Sequence, residues 1–210
     1  GDALFVWRVD PTVIIGRNQD LEAEVNMAYC RSHGVEVVRR KSGGGCVYAD
    51  EGDLMMSLIS PNTHSEVVFQ SFLDRISDVL RACGYEAVKS EHNDIMVNGM
   101  KVSGNACYAT PTGCIVHGTL LVNVDFEALQ HAITPSVEKL AKHGVKSVRQ
   151  RVANLASIAN TTAEISTPGQ FASILHQVLC SHDRELAADE IDAINQIEQS
   201  YLEQQFIKGK

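Results

Sequence analysis

Three consecutive glycines follow a basic triplet and a serine in Arg39-Arg40-Lys41-Ser42-Gly43-Gly44-Gly45-Cys46-Val47-Tyr48. Glycine lets a ligand approach the backbone closely and tolerates positive φ, so successive N–H groups there can form a concave anion site. The arginines add charge and paired donors. A hairpin turn or a plain surface loop would use the same residues, and the segment alone leaves these readings open. Three further clusters carry possible chemistry: His92-Asn93-Asp94, Lys101-Val102-Ser103-Gly104-Asn105-Ala106 and His117-Gly118-Thr119. Lys101 alternates with Val102, so a strand there would turn one face to a core and the other to a cleft. It also reads as a solvated lysine at a strand end, His117 as a core histidine, and Asn93-Asp94 as a turn capping a strand. A cleft with oriented N–H groups, arginine and lysine suits a phosphate or nucleotide. Cations around a transferring phosphoryl or acyl-phosphate stabilise the charge that develops. Several other chemistries lack their patterns. No Gly-Lys-Ser/Thr and no helix signal follow the glycines, and neither Gly-x-Ser-x-Gly nor His-Glu-x-x-His occurs.

The elements that must hold these residues can be read from periodicity. Leu4 to Trp7 and Thr12 to Ile15 predict strands around the Asp10-Pro11 turn, and Val35 to Val38 a buried strand running into the glycine loop. Between them, Asp20 predicts a helix cap, with the helix running to about His33 and stopping at Gly34. Leu54 to Ile59 predicts a strand closed by Pro61. Thr63-His64-Ser65-Glu66 has the capping-box pattern. Behind it Val68, Phe72, Ile76, Val79 or Leu80, and Cys83 recur at helical spacing up to Gly84. Asp94 to Val97 and Lys101 to Ser103 flank Asn98-Gly99-Met100, a hairpin signal that puts Lys101 just past a tight turn. Cys114 to Val124 predicts a long strand interrupted at His117-Gly118. Thr134-Pro135 and Thr167-Pro168 each predict an N-cap with Pro at the first helical position. The first of these helices should end at Gly144, and the second carries Phe171, Ile174, Leu175, Val178 and Leu179. Glu190 to Gln205 predicts a polar helical tail. No repeat, linker or second core stands out, so one α+β domain is expected.

The bulk numbers narrow the function classes. The 210 residues are 44% hydrophobic and 21% charged, and 18 Lys and Arg against 26 Asp and Glu leave a net charge of −8. That acidic balance argues against a nucleic-acid binder that works by neutralising phosphates. No apolar run approaches the roughly 18 residues that span a bilayer, and no secretory leader opens the sequence. Six cysteines without C-x-x-C or metal-ligand spacing read as small thiols in a reducing compartment.

In order along the chain, the motifs resemble the lipoate–protein ligase A family of the biotin/lipoate ligase superfamily. The segments that carry the resemblance are Thr12 to Gln19, Arg39 to Tyr48, Asn93-Asp94-Ile95, Lys101-Val102-Ser103-Gly104, His117-Gly118-Thr119-Leu120-Leu121 and Ser147 to Leu155. The resemblance implies an α+β fold, a mostly antiparallel sheet flanked by helices, like the catalytic cores of biotin ligases and class II aminoacyl-tRNA synthetases. It also implies a two-step reaction with ATP, Mg2+ and lipoate. Lipoate is first converted to lipoyl-AMP with release of pyrophosphate. A lysine on an acceptor then takes the lipoyl group. The implied acceptors are lipoyl domains of 2-oxoacid dehydrogenase E2 subunits and the glycine-cleavage H protein, with no nucleic acid and no membrane involved.

By position in the motifs, Arg40, Ser42, Gly43, Gly44, Gly45, Cys46, Val47, Tyr48, Asn93, Asp94 and Lys101 fall on the ATP and adenylate side. Lys101, Ser103, Gly104, His117 and Gly118 fall on the lipoate side. Lys101 is then the catalytic residue, touching both ligands, and Asp94 stands where a metal contact is expected. The three glycines carry high backbone entropy, so the loop is expected to close over the adenylate. Residues 1–210 would form one catalytic domain in the cytoplasm, or in the mitochondrial matrix of a eukaryote. The N-terminal strand and helix and the C-terminal accessory domain of relatives are expected to be absent, which would leave a role for a separate accessory-domain protein. Ala49, Asp53, His92 and Asn105 depart from the family pattern. Two rival readings stay open: a lipoyl or octanoyl transferase working through a thioester, with Cys83 or Cys107 as its thiol, and a non-catalytic adenylate- or lipoate-binding paralogue. Ser136 stands about where one octanoyltransferase group carries its cysteine, which is evidence against the first.

Overall fold

The strands follow the apolar alternation along the chain. In the computed structural model, which describes residues 1–134, 151–158 and 165–209, they are β1 (Ala3–Trp7), β2 (Thr12–Ile15), β3 (Glu36–Arg39), β4 (Val47–Ala49) and β5 (Asp53–Ser60). They continue as β6 (Ala87–Lys89), β7 (Asp94–Val97), β8 (Met100–Thr110) and β9 (Gly113–Leu121). The helices are α1 (Leu21–Glu24), α2 (Met27–Ser32), α3 (Ser65–Ala82), α4 (Phe126–Ala132), α5 (Pro168–Leu179), α6 (Ala188–Leu202) and α7 (Gln204–Lys208). Six strands form one sheet in the order β1-β5-β9-β8-β7-β6, antiparallel throughout. A three-stranded sheet, β3-β2-β4, stands beside it, with β2 and β3 parallel.

The amphipathic helix α3 covers one face of the large sheet. Val68, Phe72, Ile76, Val79 and Leu80 are buried among sheet residues such as Leu54, Met56, Ile95 and Val116. Each fully buried side chain of this size contributes about 1.5–3 kcal/mol. Helix α5 extends this layer through Phe171 and Leu175, while Val178, assigned to the same stripe by spacing, is exposed. Thr167 caps this helix ahead of Pro168 as expected, and a capping box with Gln170 forms as well. The one expected at Thr63 does not. The helix starts one residue later, so Thr63 precedes the cap position, and His64 occupies it without a side-chain bond.

Other boundaries were settled by tertiary contacts. The helix expected from Asp20 to about His33 breaks at Val25, which is buried and bridges Ile133, while the Asn26 N–H donates to the Ala132 carbonyl at 2.9 Å. Asn26 then caps a new helix by accepting from the Tyr29 amide at 3.1 Å. Strand β9 runs through His117-Gly118 without interruption, because both residues pair with β5 on one side and β8 on the other. The Asn98-Gly99 hairpin is as expected: φ is 52° and 75° at its two central residues, the left-handed pair that a two-residue turn requires. Strand β4, absent from the reading by periodicity, pairs with β2. The buried apolar residues form two clusters rather than the single core expected. The second surrounds the small sheet and includes Val13, Ile15, Tyr48, Leu129 and Val152. The helix expected from Pro135 to Gly144, Ser136, and the segment Ser147 to Gln150 lie outside the described residues.

Asp53 is the costly residue of this scaffold. It is fully buried, and neither carboxylate oxygen closes a hydrogen bond among the described residues, although the Leu54 and Leu120 amides approach it. Burial, and then the charge of Asp50, push its pKa well above 3.8. The unfolded chain therefore releases this proton more readily, and stability falls as pH rises above about 4. Asp53→Asn removes that loss. The expected outcome is a melting temperature about 2–4 °C above wild type at pH 7, with the gap closing toward pH 4. A gap independent of pH would mean the carboxyl is not desolvated.

Candidate active site

Strand alternation divides the large sheet into two faces. On β9, Cys114, Val116 and Leu120 point into the helix-covered core, and Ile115, His117 and Thr119 line a cleft on the other face. On β5, Leu54 and Met56 are core residues, while Met55 and Ser57 line the cleft. The cleft encloses about 270 Å3. Trp7, Met55 and Ile115 make one part of its lining apolar, and Gly44, Gly45, Cys46 and Val47 bring the glycine loop to it. Trp7 Nε1 donates to Ser57 Oγ at 3.1 Å, which fixes the indole beside the opening.

Lys101 is held from several sides in this cleft. Its Nζ lies 2.8 Å from Asp94 Oδ1, and Arg151 approaches the other Asp94 oxygen at 3.7 Å. The Lys101 N–H donates to the Arg151 carbonyl at 2.8 Å, and the Ala153 N–H donates to the Lys101 carbonyl at 3.0 Å. Its ammonium passes directly over Gly104, where a Cβ would stand 2.6 Å from Nζ. Only glycine leaves that route open. The hairpin turn, the bulge between Ile95 and Met96, and the segment around Val152 thus act together on one side chain.

Asn105 ties the same region to β7. Its amide and that of Asn93 reach across to each other's backbone carbonyls, and the Asn105 N–H donates to the Asn93 carbonyl at 3.1 Å.

The glycine loop stands tied down, contrary to the expectation of a loop awaiting its ligand. The Arg40 guanidinium donates to the carbonyls of Ile14 at 2.9 Å, Gly43 at 2.9 Å and Gly45 at 2.7 Å. The Arg17 N–H donates to the Ser42 carbonyl at 2.9 Å. The Ser42 hydroxyl and His117 Nε2 share a hydrogen bond of 2.6 Å. These ties offset the backbone entropy of three glycines. Gly43, Gly44 and Gly45 are nonetheless exposed, and their amides bond to no described residue. They are unused donors beside the Arg40 guanidinium.

The residues singled out by sequence divide into two groups. Arg40, Gly44, Gly45, Cys46, Val47, Asn93, Lys101, Gly104 and His117 line the cleft together. Gly43 lines an adjoining groove. The others do not reach the cleft. Ser42 is buried behind the loop, Tyr48 packs into the second cluster, and Gly118 is enclosed between its neighbouring strands. Ser103 is wholly buried and bonds Asn105. Asp94 is occupied by Lys101 and Arg151, which leaves its carboxylate a poor metal ligand. Among the described residues no group of His, Cys, Asp or Glu could hold a metal ion. No motif marked Trp7, Met55 or Ile115, while Asn105 and Thr119 fell inside candidate clusters without an assigned side. Strand alternation on β5 and β9 was the signal for Met55, Ile115 and Thr119.

Burial also sorts the thiols. The Cys83 thiol is pushed up by burial in the core. That of Cys107 is pushed up to about 11, by burial first and then by Cys114 and Glu66. Neither is activated, and Cys46 is the one cysteine among the described residues that lines the cleft.

Comparison with known proteins gives consistent matches. A model of the lipoyl protein ligase A/B catalytic domain matches residues 1–178. Lipoate–protein ligase 1 of Staphylococcus aureus is 40% identical over 166 residues, 78% of this chain and 51% of that protein. Lipoate-protein ligase LplJ of Bacillus subtilis is 40% identical over 154 residues, 73% of this chain and 46% of that protein. The chain spans about half the length of the curated relatives it matches. Among solved structures, the bi-partite lipoate protein ligase of Thermoplasma acidophilum, described with its E2 lipoyl domain, superposes with a TM-score of 0.81 at 26% identity. That match covers 99% of this chain and 84% of the other. A lipoate-protein ligase A bound with ATP gives 0.80 at 26% identity, covering 99% and 86%.

The Ser42–His117 bond makes a pH prediction. Burial, and then the charge of Arg40, bring the imidazole down to about 4. A depressed folded pKa contributes stability that is present above the unfolded value of 6.5 and is lost as pH falls toward about 4. Replacing the histidine with a side chain that does not titrate, His117→Gln, isolates this contribution. The melting-temperature advantage of wild type over His117→Gln should shrink steadily from pH 7 to pH 4.5. A constant difference would mean the imidazole titrates normally.

Proposed function

Because this chain belongs to the lipoyl protein ligase A/B catalytic domain family, we propose that it activates lipoate with ATP and transfers the lipoyl group to a protein lysine. The observation that carries this reading is the seat of Lys101. One ammonium, fixed over Gly104, faces a cleft that offers free glycine amides on one side and an apolar wall on the other. The free amides of Gly43 to Gly45 suit the nucleotide phosphates, and Trp7, Met55 and Ile115 suit the acyl chain and its dithiolane ring. Lys101 then stands between the lipoate carboxylate and the α-phosphate.

A lipoate carboxylate oxygen attacks the α-phosphorus, forming the new P–O bond as the bond to pyrophosphate breaks. The ammonium neutralises both anions as they approach and the charge that builds on the phosphoryl oxygens. The mixed anhydride needs no protein nucleophile. In the second step the acceptor ε-amine attacks its carbonyl and AMP leaves with the bonding pair. Mg2+ would be carried by the triphosphate, since the described residues offer no cage for it.

Lipoyl domains of E2 subunits are the acceptor class we infer, supported by the Thermoplasma ligase described with its E2 lipoyl domain. The H protein belongs to the same chemical class. The bi-partite organisation of that relative supports a separate accessory-domain protein as a further partner. No helix among the described residues is long and apolar enough to cross a membrane, and we assign the reaction to the cytoplasm or mitochondrial matrix. The protonated thiols of Cys83 and Cys107 weigh against transfer through a thioester.

Lipoate-dependent exchange of labelled pyrophosphate into ATP tests the proposal. Wild type should exchange. Gly104→Ala should fold but lose about 10²-fold in rate as its methyl displaces the ammonium. Transfer of octanoyl from acyl carrier protein without any exchange would overturn the ligase reading in favour of a transferase.

A further inference from the structure

Arg39, immediately before the nucleotide-side arginine, has a separate task. It is only 3% exposed, and its guanidinium donates solely to backbone carbonyls. Nη1 donates to Gly16 and to Gln19, each at 2.8 Å, with a longer contact to Arg17 at 3.3 Å. Nε and Nη2 donate to Ile207 at 2.9 Å and Lys208 at 3.0 Å. Among the described residues no carboxylate is within ion-pair distance of it. The Ile207 and Lys208 carbonyls belong to the last turn of α7, where unpaired C=O groups concentrate partial negative charge. A buried cation with only such dipoles around it is stable only while every donor is used.

The other half of this bond set leads to the glycine loop. Residues 16–19 are the platform on which that loop rests. The Arg17 N–H holds the Ser42 carbonyl at 2.9 Å, and a Cβ at Gly16 would run into the Gly44 carbonyl. A second tie runs alongside, with Lys41 Nζ 4.6 Å from the centre of the Tyr201 ring at the end of α6. Tyr201 in turn meets Phe206 edge-on at 5.2 Å, which keeps α6 and α7 together. Gly209, at φ 78°, passes so close that a Cβ there would stand 2.8 Å from Arg39 Nη2. This whole strap lies beyond the residues 1–178 that match the family model.

We propose that Arg39 is a positioning residue that fastens the segment 188–209 to the platform beneath the glycine loop, so that this segment sets how firmly the loop is held for nucleotide. The consequence for nucleotide rests on the function proposed above. The mechanical link does not. If α7 leaves, the guanidinium loses two acceptors, turns toward water and releases Gly16 and Gln19.

Hydrogen exchange in the full chain reads this directly, on wild type, Arg39→Lys, Gly209→Val and a chain ending at Glu203. A lysine keeps the charge but cannot reach both carbonyl sets at once, and Gly209→Val crowds the guanidinium without touching the core. All three variants should exchange about tenfold faster in peptides covering 16–20 and 40–48, with β8 and β9 unchanged. Their Michaelis constant for ATP should rise about tenfold, with that for lipoate within twofold. Unchanged loop exchange in Gly209→Val and the shortened chain, or equal acceleration in β8 and β9, would overturn the proposal. If wild type itself shows no pyrophosphate exchange, the proposed function fails, and loop exchange alone still decides the role of Arg39.

Discussion

The Lys101–Asp94 pair sets the terms for the rest of the site. An ammonium in a mainly apolar cleft is costly unless it is paired, and a pair is useful to an anionic ligand only if it stays put. Asp94 supplies the first condition at 2.8 Å. The second is met by backbone: a two-residue turn, a bulge in β7–β8, and the parallel bridge from Lys101 to Val152. Gly104 gives the side chain its route, and Asn105 binds its strand to Asn93. Each element costs little alone. Together they fix one charge where, in the function proposed, an acyl carboxylate and an α-phosphate would meet.

The same economy governs the opposite wall. A loop of three glycines is entropically expensive to order, and here it is ordered by side chains from outside the glycine run. Arg40 gathers three carbonyls, Ser42 meets His117, and the loop rests on residues 16–19. This arrangement uses the loop's carbonyls and leaves its amides for a ligand, an asymmetry suited to an anion. The two-faced sheet makes both walls possible. Its even-numbered β9 residues build the core, so its odd-numbered ones are free to line a cleft.

Much of this was legible because local chemistry and tertiary demand agree. The α3 stripe, the Asn98-Gly99 turn and the Thr167 cap each follow from residue types a few positions apart. The family resemblance, carried by motifs in order, brought Lys101, Gly104, Asn93 and His117 to one place before any coordinates. What was illegible depended on distant partners. Val25 breaks a helix because Ile133 pairs with it, and β4 exists because β2 has a free edge. Ser103, Ser42 and Tyr48 sit in the right motifs but are buried and do not line the cleft. Trp7 and Met55 line it although no motif marks them, since the pairing of β1 with β5 is invisible to short-range pattern. The tie from Arg39 to residues 207 and 208 spans most of the chain. No spacing rule could have reached it.

In the function proposed, one fixed ammonium does the electrostatic work of the first chemical step. Single-turnover formation of lipoyl-AMP by Lys101→Ala, at saturating ATP and lipoate, isolates that work. The expected rate is about 10²–10³-fold below wild type, with transfer from preformed lipoyl-AMP much less affected. Lipoyl-AMP formation near the wild-type rate in that variant would contradict it.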